Sequence, residues 1–446
     1  MRTSAAMVLS ACALLAPHAF AQGGQPTSPG VAADLPPNLG GGAVARVPFD
    51  LGTRLDEIRK ANGVPAISAV MIDRDGVMAR GVAGFRRMNG TAPVTLDDKW
   101  HLGSCTKAIT GTLCALLVAD EPPALRWDST IGDVFNPARD AKAKITNNWR
   151  LVTLRQLTTC TGNVPYDLGE YGGRPLWANL WEKARHGTPP LEQRGYLFGE
   201  LVRSNIGTPS TSFQYANASV ALAGHMAETA AGVPFEELLQ KRLFEPLGIT
   251  TAGFGAPGTV TEDDGPEDQP WGHTASGVPV RPGINADNPA SIAPAGTVHM
   301  SIEDWGRFAR LHLIGAEISL PQSIDPASEQ TAPEWDPRAT LGLDAADFAV
   351  LHGQTSFRND YAAGWIIANR PAWAKGGQPG ATGRCLTHVG SNTMWTAAVW
   401  IAPEIGRAFM AVVNTGANAG GDAREQAIQA MIELDRQWRG LPPLKK

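Results

Sequence analysis

The sequence predicts an α+β fold: an antiparallel sheet flanked by helices, with a mostly helical domain inserted between its two halves. Three observations carry this. Apolar runs at residues 67–72 and 77–82 flank the turn signal Arg74-Asp75-Gly76. Runs at 393–401 and 409–413 flank Pro403-Glu404-Ile405-Gly406. Between these pairs, residues 120–287 are helical pieces with many Pro and Gly breaks. The sheet domain is therefore expected to comprise residues 47–118 and 288–438, and the insertion residues 119–287. The chain shows no internal repeat.

With 446 residues, 43% of them apolar and 18% charged, the chain has material for a large core. A net charge of -5 gives no reason to expect nucleic acid or an anionic membrane surface as partner.

At the N-terminus, Arg2, an apolar run over residues 5–15 and Ala19-Phe20-Ala21 follow the order of a signal peptide. Residues 1–21 are read as that peptide, cleaved after Ala21, which makes the mature protein periplasmic or secreted. The run is too short to span a bilayer. Leu9-Ser10-Ala11-Cys12 also looks like a lipoprotein box, but the apolar run continues past Cys12 to residue 16. Anchoring at Cys12 is thus the second choice. Residues 22–46, rich in Gly, Pro and Ala without periodicity, read as a disordered leader.

Folded sequence opens near Phe49, and Leu51, Leu55 and Ile58 have helical spacing. After the first hairpin, Ile109, Leu113, Leu116 and Leu117 fall at i, i+4, i+7 and i+8, a helix whose N-terminus lies near Ser104. Within the insertion, residues 219–231 and 235–243 read as helices. Ser301-Ile302-Glu303-Asp304 looks like a capped helix start, with the helix running through Phe308 and Leu311. The second strand pair follows, then a last helix over residues 422–438. The four cysteines beyond the signal, Cys105, Cys114, Cys160 and Cys385, are too sparse for a disulfide scaffold. Cys105 and Cys114 lie on opposite sides of one predicted helix and cannot bond to each other. Buried free thiols are expected.

Residues 101–110 read HLGSCTKAIT, and Ser104 precedes Lys107 by three. On a helix that spacing puts both side chains on one face, one turn apart. Of ten lysines only Lys107 has a serine three positions upstream. A serine becomes a nucleophile when a neighbour takes its proton, and a lysine does so when burial or positive neighbours lower its pKa. The same spacing also fits a helix-start serine beside a solvated lysine. A second motif is Tyr215-Ala216-Asn217, the single Tyr-x-Asn among five tyrosines. A phenol can relay protons and an amide can hold a substrate carbonyl or the lysine. The third is Thr387-His388-Val389-Gly390-Ser391, before a strand expected to begin at Thr393. There glycine permits close backbone approach to a ligand, and an edge strand can offer an N–H to an oxyanion. No G-x-S-x-G elbow, H-E-x-x-H helix or phosphate loop competes with these.

Ser-x-x-Lys, Tyr-x-Asn and His-x-Gly, in this order, resemble the motifs of the penicillin-recognising serine hydrolases. That group includes class C β-lactamases, D-alanyl-D-alanine carboxypeptidases, D-aminopeptidases and related esterases. The resemblance runs over residues 49–434 and takes in residues 153–157, residues 244–248 and Pro294-Ala295-Gly296. It implies a β-lactamase/transpeptidase-like fold and an acyl-enzyme mechanism with no metal or organic cofactor. Carried over, Ser104 is the nucleophile, Lys107 its activating partner and Tyr215 the proton shuttle. Asn217 binds the substrate amide, and His388, Gly390 and Ser391 form the third wall, with the N–H groups of Ser104 and Ser391 as oxyanion donors. Class C lactamases carry Lys-Thr-Gly where this chain has His388-Val389-Gly390, so one ammonium and one hydroxyl that hold a β-lactam carboxylate are missing. A protonated His388 would restore one charge; a neutral one would be only a wall. The reading is an exported serine hydrolase, an esterase or D-amino-acid peptidase acting on a small ester, amide or D-peptide. The alternatives are a class C-type β-lactamase, or a slowly acylating penicillin-binding or sensor module without turnover.

Overall fold

The computed structural model describes residues 47–135, 144–259, 267–319, 336–353, 360–377 and 379–444. The expected signal peptide, Cys12 and the leader lie outside the described residues. Thirteen strands occur among those described: β1 (Phe49–Asp50), β2 (Ala66–Asp73), β3 (Gly76–Gly84), β4 (Lys99–His101), β5 (Gly253–Phe254), β6 (Gly272–His273), β7 (Pro279–Val280), β8 (Val298–Ser301), β9 (Tyr361–Ala362), β10 (Trp365–Asn369), β11 (Arg384–Ser391), β12 (Thr396–Ala402) and β13 (Arg407–Val413). Eight form one sheet in the order β1-β3-β2-β13-β12-β11-β10-β9. Its pairings are antiparallel except for β1, which joins β3 parallel over two residues.

The sheet joins the two ends of the chain where β13 pairs with β2, from Ala408 opposite Ile72 to Val413 opposite Ile67. Every residue of β2 is buried, because helices cover both faces. Side chains alternate across the sheet, so each strand feeds two cores. Ala66, Val70 and Ile72 of β2, with Ala408, Met410 and Val412 of β13, pack on the face of the helix Ile302–Ser319 through Trp305 and Phe308. Ile67, Ala69 and Met71, with Phe409, Ala411 and Val413, pack on the other face. There they meet Leu55 and Ile58 of the helix Gly52–Asn62 and Ala427, Ile428 and Met431 of the helix Ala419–Trp438.

The helix Thr106–Ala119 is buried from Thr106 through Leu117, so it runs through the first core rather than along its edge. The helix Asn217–Ala231 packs against it. Beside it, Thr153 and Gln156 exchange a capping box at the start of Leu154–Thr158. Three expectations shift. The helix predicted over residues 235–243 is regular only from Phe235 to Leu239 and then widens over Gln240–Phe244. The third motif lies on a strand of its own, β11, and the next strand starts at Thr396 rather than Thr393. Strands β4, β8, β9 and β10 have no counterpart in the sequence reading. The four cysteines among the described residues, Cys105, Cys114, Cys160 and Cys385, are free and buried.

Buried histidines are expected to make the fold acid-sensitive. Burial lowers His273 and His299 to about 4, His312 and His388 to about 3, and His352 well below its ordinary 6.5. The unfolded chain takes up these protons near pH 6.5 and the native chain does not. Their contribution to stability is therefore present above about 6.5 and is lost as the pH falls toward the folded values. The loss is up to about 1.4 kcal/mol per pH unit for each histidine. The Tm is expected to hold between pH 7 and 8 and to fall steeply between pH 6.5 and 4. A calorimetric series with a flat Tm down to pH 4.5 would contradict this.

Candidate active site

Strand β4 pairs with β8, and Leu102 N–H adds a hydrogen bond to Val298 O at 2.9 Å. The chain then turns through the tight helical turn Gly103–Cys105 into the helix Thr106–Ala119. Across residues 101–117 every side chain is buried except that of Ser104. A buried frame thus presents one partly exposed hydroxyl.

Lys107, with no exposed surface, donates from Nζ to Ser104 Oγ at 2.9 Å, to Asn217 Oδ1 at 2.8 Å and to Ala295 O at 2.7 Å. Asn217 opens the helix Asn217–Ala231, and Ala295 belongs to the Pro294-Ala295-Gly296 segment. Thr110 Oγ1 anchors that segment by donating to Pro294 O at 2.6 Å. The chemistry follows from donor inventory. The amide oxygen and the carbonyl only accept, so two N–H bonds of Lys107 are committed to them. The third direction faces Ser104 Oγ, which accepts from an ammonium or gives its own proton to the lone pair of a neutral amine. Both protonation states of Lys107 fit the same geometry. The Tyr215 ring lies over this amine, Nζ being 4.9 Å from its centroid, and meets Tyr361 edge-on at 6.2 Å. Sequence neighbours do not compete: burial pushes the Cys105 thiol up to about 12.

The third motif closes the site from β11. Gly390 lies against the Leu102–Ser104 backbone so closely that a Cβ there would sit on Leu102 O and 2.9 Å from Ser104 N. Gly103 takes φ +51, and a Cβ on it would sit on Ser391 N. Two glycines therefore let two backbones cross without a side chain between them, which brings the amides of Ser104 and Ser391 to neighbouring positions. Ser391 Oγ is turned to Trp395 O at 2.7 Å.

His388 behaves differently from a charged carboxylate holder. It is 2% exposed, its Nδ1 faces Val389 O at 2.7 Å, and its ring meets Tyr215 and Tyr361. Burial, reinforced by the Lys107 charge, holds it at about 3. Of the two alternatives for His388, burial favours the neutral imidazole, a part of the wall, over a protonated one gripping a carboxylate. The structure thus gathers Ser104, Lys107, Tyr215 and Asn217 by their side chains and Gly390 and Ser391 by their backbone.

Two contributors escaped the sequence reading. The Ala295 carbonyl belongs to a segment noted only for its resemblance. Arg424, on the last helix, donates from a guanidinium nitrogen to Thr396 Oγ1 at 2.6 Å, and Thr396 pairs with Ser391. No local pattern marks an arginine in an amphipathic helix as part of a site. Among the described residues, no group of His, Cys, Asp and Glu is arranged to hold a metal ion. No described helix is long and apolar enough to cross a membrane.

The same constellation can be set beside known proteins. Penicillin-binding protein 4 of Amycolatopsis lactamdurans is 29% identical over 277 residues, 60% of this chain and 65% of that protein. A β-lactamase of Escherichia coli (strain K12) is 27% identical over 271 residues, 60% of this chain and 62% of that one. The chain thus spans slightly less than two thirds of the length of these relatives. An octameric penicillin-binding protein homologue from Pyrococcus abyssi shares the β-lactamase/transpeptidase-like fold. Its TM-score is 0.59 at 18% identity, over 88% of this chain and 77% of that one. A family model described as Beta-lactamase matches residues 52–431, from the first helix to the last and across all three motifs. The chain therefore belongs to the β-lactamase family, a family of hydrolases.

Proposed function

We propose that this protein is an exported serine hydrolase that works through an acyl-enzyme on small esters or amides of D-amino acids. The observation that carries the reading is the Lys107 amine, fully buried and 2.9 Å from the partly exposed Ser104 Oγ. In the mechanism, Ser104 Oγ attacks the substrate carbonyl carbon as its proton passes to neutral Lys107 Nζ. The carbonyl oxygen becomes an oxyanion between the N–H groups of Ser104 and Ser391. Tyr215 carries the proton on to the leaving alcohol or amine, and Asn217 holds Lys107 in register and meets the acyl amide. Water then repeats the sequence against the ester, with the same groups returning the proton to Ser104.

Neutral or weakly charged acyl donors suit the site, because His388 brings no charge to the third wall. One observation favours carboxylate-bearing substrates such as β-lactams instead: Arg424 lies at the Thr396 end of that wall with a hydroxyl as its described partner. The deciding experiment is a panel of short-chain p-nitrophenyl esters, D-Ala-D-Ala peptides and nitrocefin, with intact-mass detection of acylation. Turnover of esters or D-peptides with a serine-linked intermediate is expected. A burst without turnover would favour a sensor module. Loss of nitrocefin activity alone in Arg424→Gln would favour the carboxylate reading. Because His388 stays neutral, kcat/KM for anionic and neutral substrates should run parallel from pH 5 to 8. A limb in that window confined to anionic substrates would mean that His388 does carry charge.

A further inference from the structure

Behind the crossing of the two backbones lies a buried polar chain that the mechanism above does not use. Gly103 N–H donates to His101 Nδ1 at 3.1 Å, so that nitrogen carries the lone pair and Nε2 carries the proton. Nε2–H points at Asp287 Oδ2, 2.8 Å away. The second carboxylate oxygen, Oδ1, accepts from Asn392 Nδ2 at 3.1 Å and from Asn288 N–H at 2.7 Å. The Asn392 side chain then closes the turn after β11: its Oδ1 accepts from Met394 N–H and Trp395 N–H, both at 3.1 Å. The Trp395 ring stacks on His101 with centroids 5.6 Å apart. His101, Asp287 and Asn392 are 1%, 6% and 5% exposed.

The chain's two ends are the informative part. One end is Gly103, which precedes Ser104; the other is Asn392, which follows Ser391. These are the residues flanking the two amides assigned to the oxyanion, and Asp287 links the side chains of the two distant segments they come from. We propose that His101, Asp287 and Asn392 are positioning residues, a relay that sets the spacing of the Ser104 and Ser391 N–H groups. This rests on the serine-hydrolase reading above. A buried network with every member satisfied is rigid, and a rigid pair of donors is what stabilises a charge that exists only in the transition state. The relay therefore acts on kcat rather than on ground-state binding. It also fixes the His101 tautomer: an Nδ1–H would face the Gly103 N–H and push the turn away from β11.

The test uses the full-length protein and an ester substrate. His101→Phe keeps a ring against Trp395 and removes both hydrogen bonds. It is expected to lower kcat about 10- to 100-fold with KM within about twofold. His101→Gln, whose amide can accept from Gly103 and donate to Asp287, should recover most of the loss. An unchanged kcat in His101→Phe, with Ser104→Ala inactive, overturns the relay and leaves the serine reading standing. Retained activity in Ser104→Ala overturns that reading itself. A KM rise matching the kcat fall, or no recovery with Gln, assigns these residues to packing alone. Should His101→Phe fail to fold, isosteric Asp287→Asn gives the same readout. Its single oxygen cannot accept from both His101 and Asn392, so kcat should fall with KM held; full kcat there also overturns the proposal.

Discussion

Ser104→Ala is expected to abolish hydrolysis of every substrate the wild type turns over, a loss of roughly 10³- to 10⁶-fold in kcat. One hydroxyl serves all acyl donors, so the loss should not depend on whether the leaving group is an alcohol, an amine or a lactam nitrogen. The fold should survive, because Ser104 is the one side chain of residues 101–117 that is not buried. Alanine there gives up only the Lys107 bond. Nor can the adjacent residue take over, since burial holds the Cys105 thiol at about 12 and its Sγ is turned to His388 O. Intact-mass spectra after a fluorophosphonate should show one adduct on the wild type and none on the variant. An adduct that persists on Ser104→Ala would move the nucleophile elsewhere and with it the whole site.

The parts of this site that the sequence disclosed are those whose geometry is local. Ser104 and Lys107 lie one helical turn apart, so their contact follows from spacing alone. The hairpin β2–β3 was legible because apolar runs bracket Arg74-Asp75-Gly76, and the helix Asn217–Ala231 because its apolar positions recur with the helical period. What stayed hidden depends on chain segments meeting in space. Lys107 finds Asn217 110 residues away and Ala295 188 residues away. No pattern in either neighbourhood signals the contact, and only the order of the motifs hinted at it. The charge of His388 was likewise illegible, because it depends on burial among Tyr215, Tyr361 and Lys107. The strand start at Thr393 was misjudged for a conformational reason: Thr393 takes φ 77, a turn geometry that threonine seldom adopts. The turn therefore extends to Trp395, and β11 gains the third motif.

Lys107→Ala is the second large effect, and here burial changes what is expected. A solvated lysine would be removed without structural cost, but this one is fully buried and hydrogen-bonded to Ala295 O and Asn217 Oδ1. Its removal leaves a cavity and an unsatisfied buried carbonyl, so stability should fall by about 2–4 kcal/mol along with a loss of roughly 10²- to 10⁴-fold in kcat. Tyr215→Phe separates the two consequences. The ring contacts with Lys107, Tyr361 and His388 persist and only the hydroxyl is lost. Its Tm should therefore barely move while kcat drops by about 10²-fold or more. If Lys107 and Tyr215 share one proton path, the path is already broken in either single variant. The double variant should then be little slower than Lys107→Ala, far short of the product of the two losses. Measured under conditions where all three variants are folded, full multiplicativity would mean that the lysine and the phenol act on separate protons. Tyr215 would then be a binding surface for the leaving group rather than its acid.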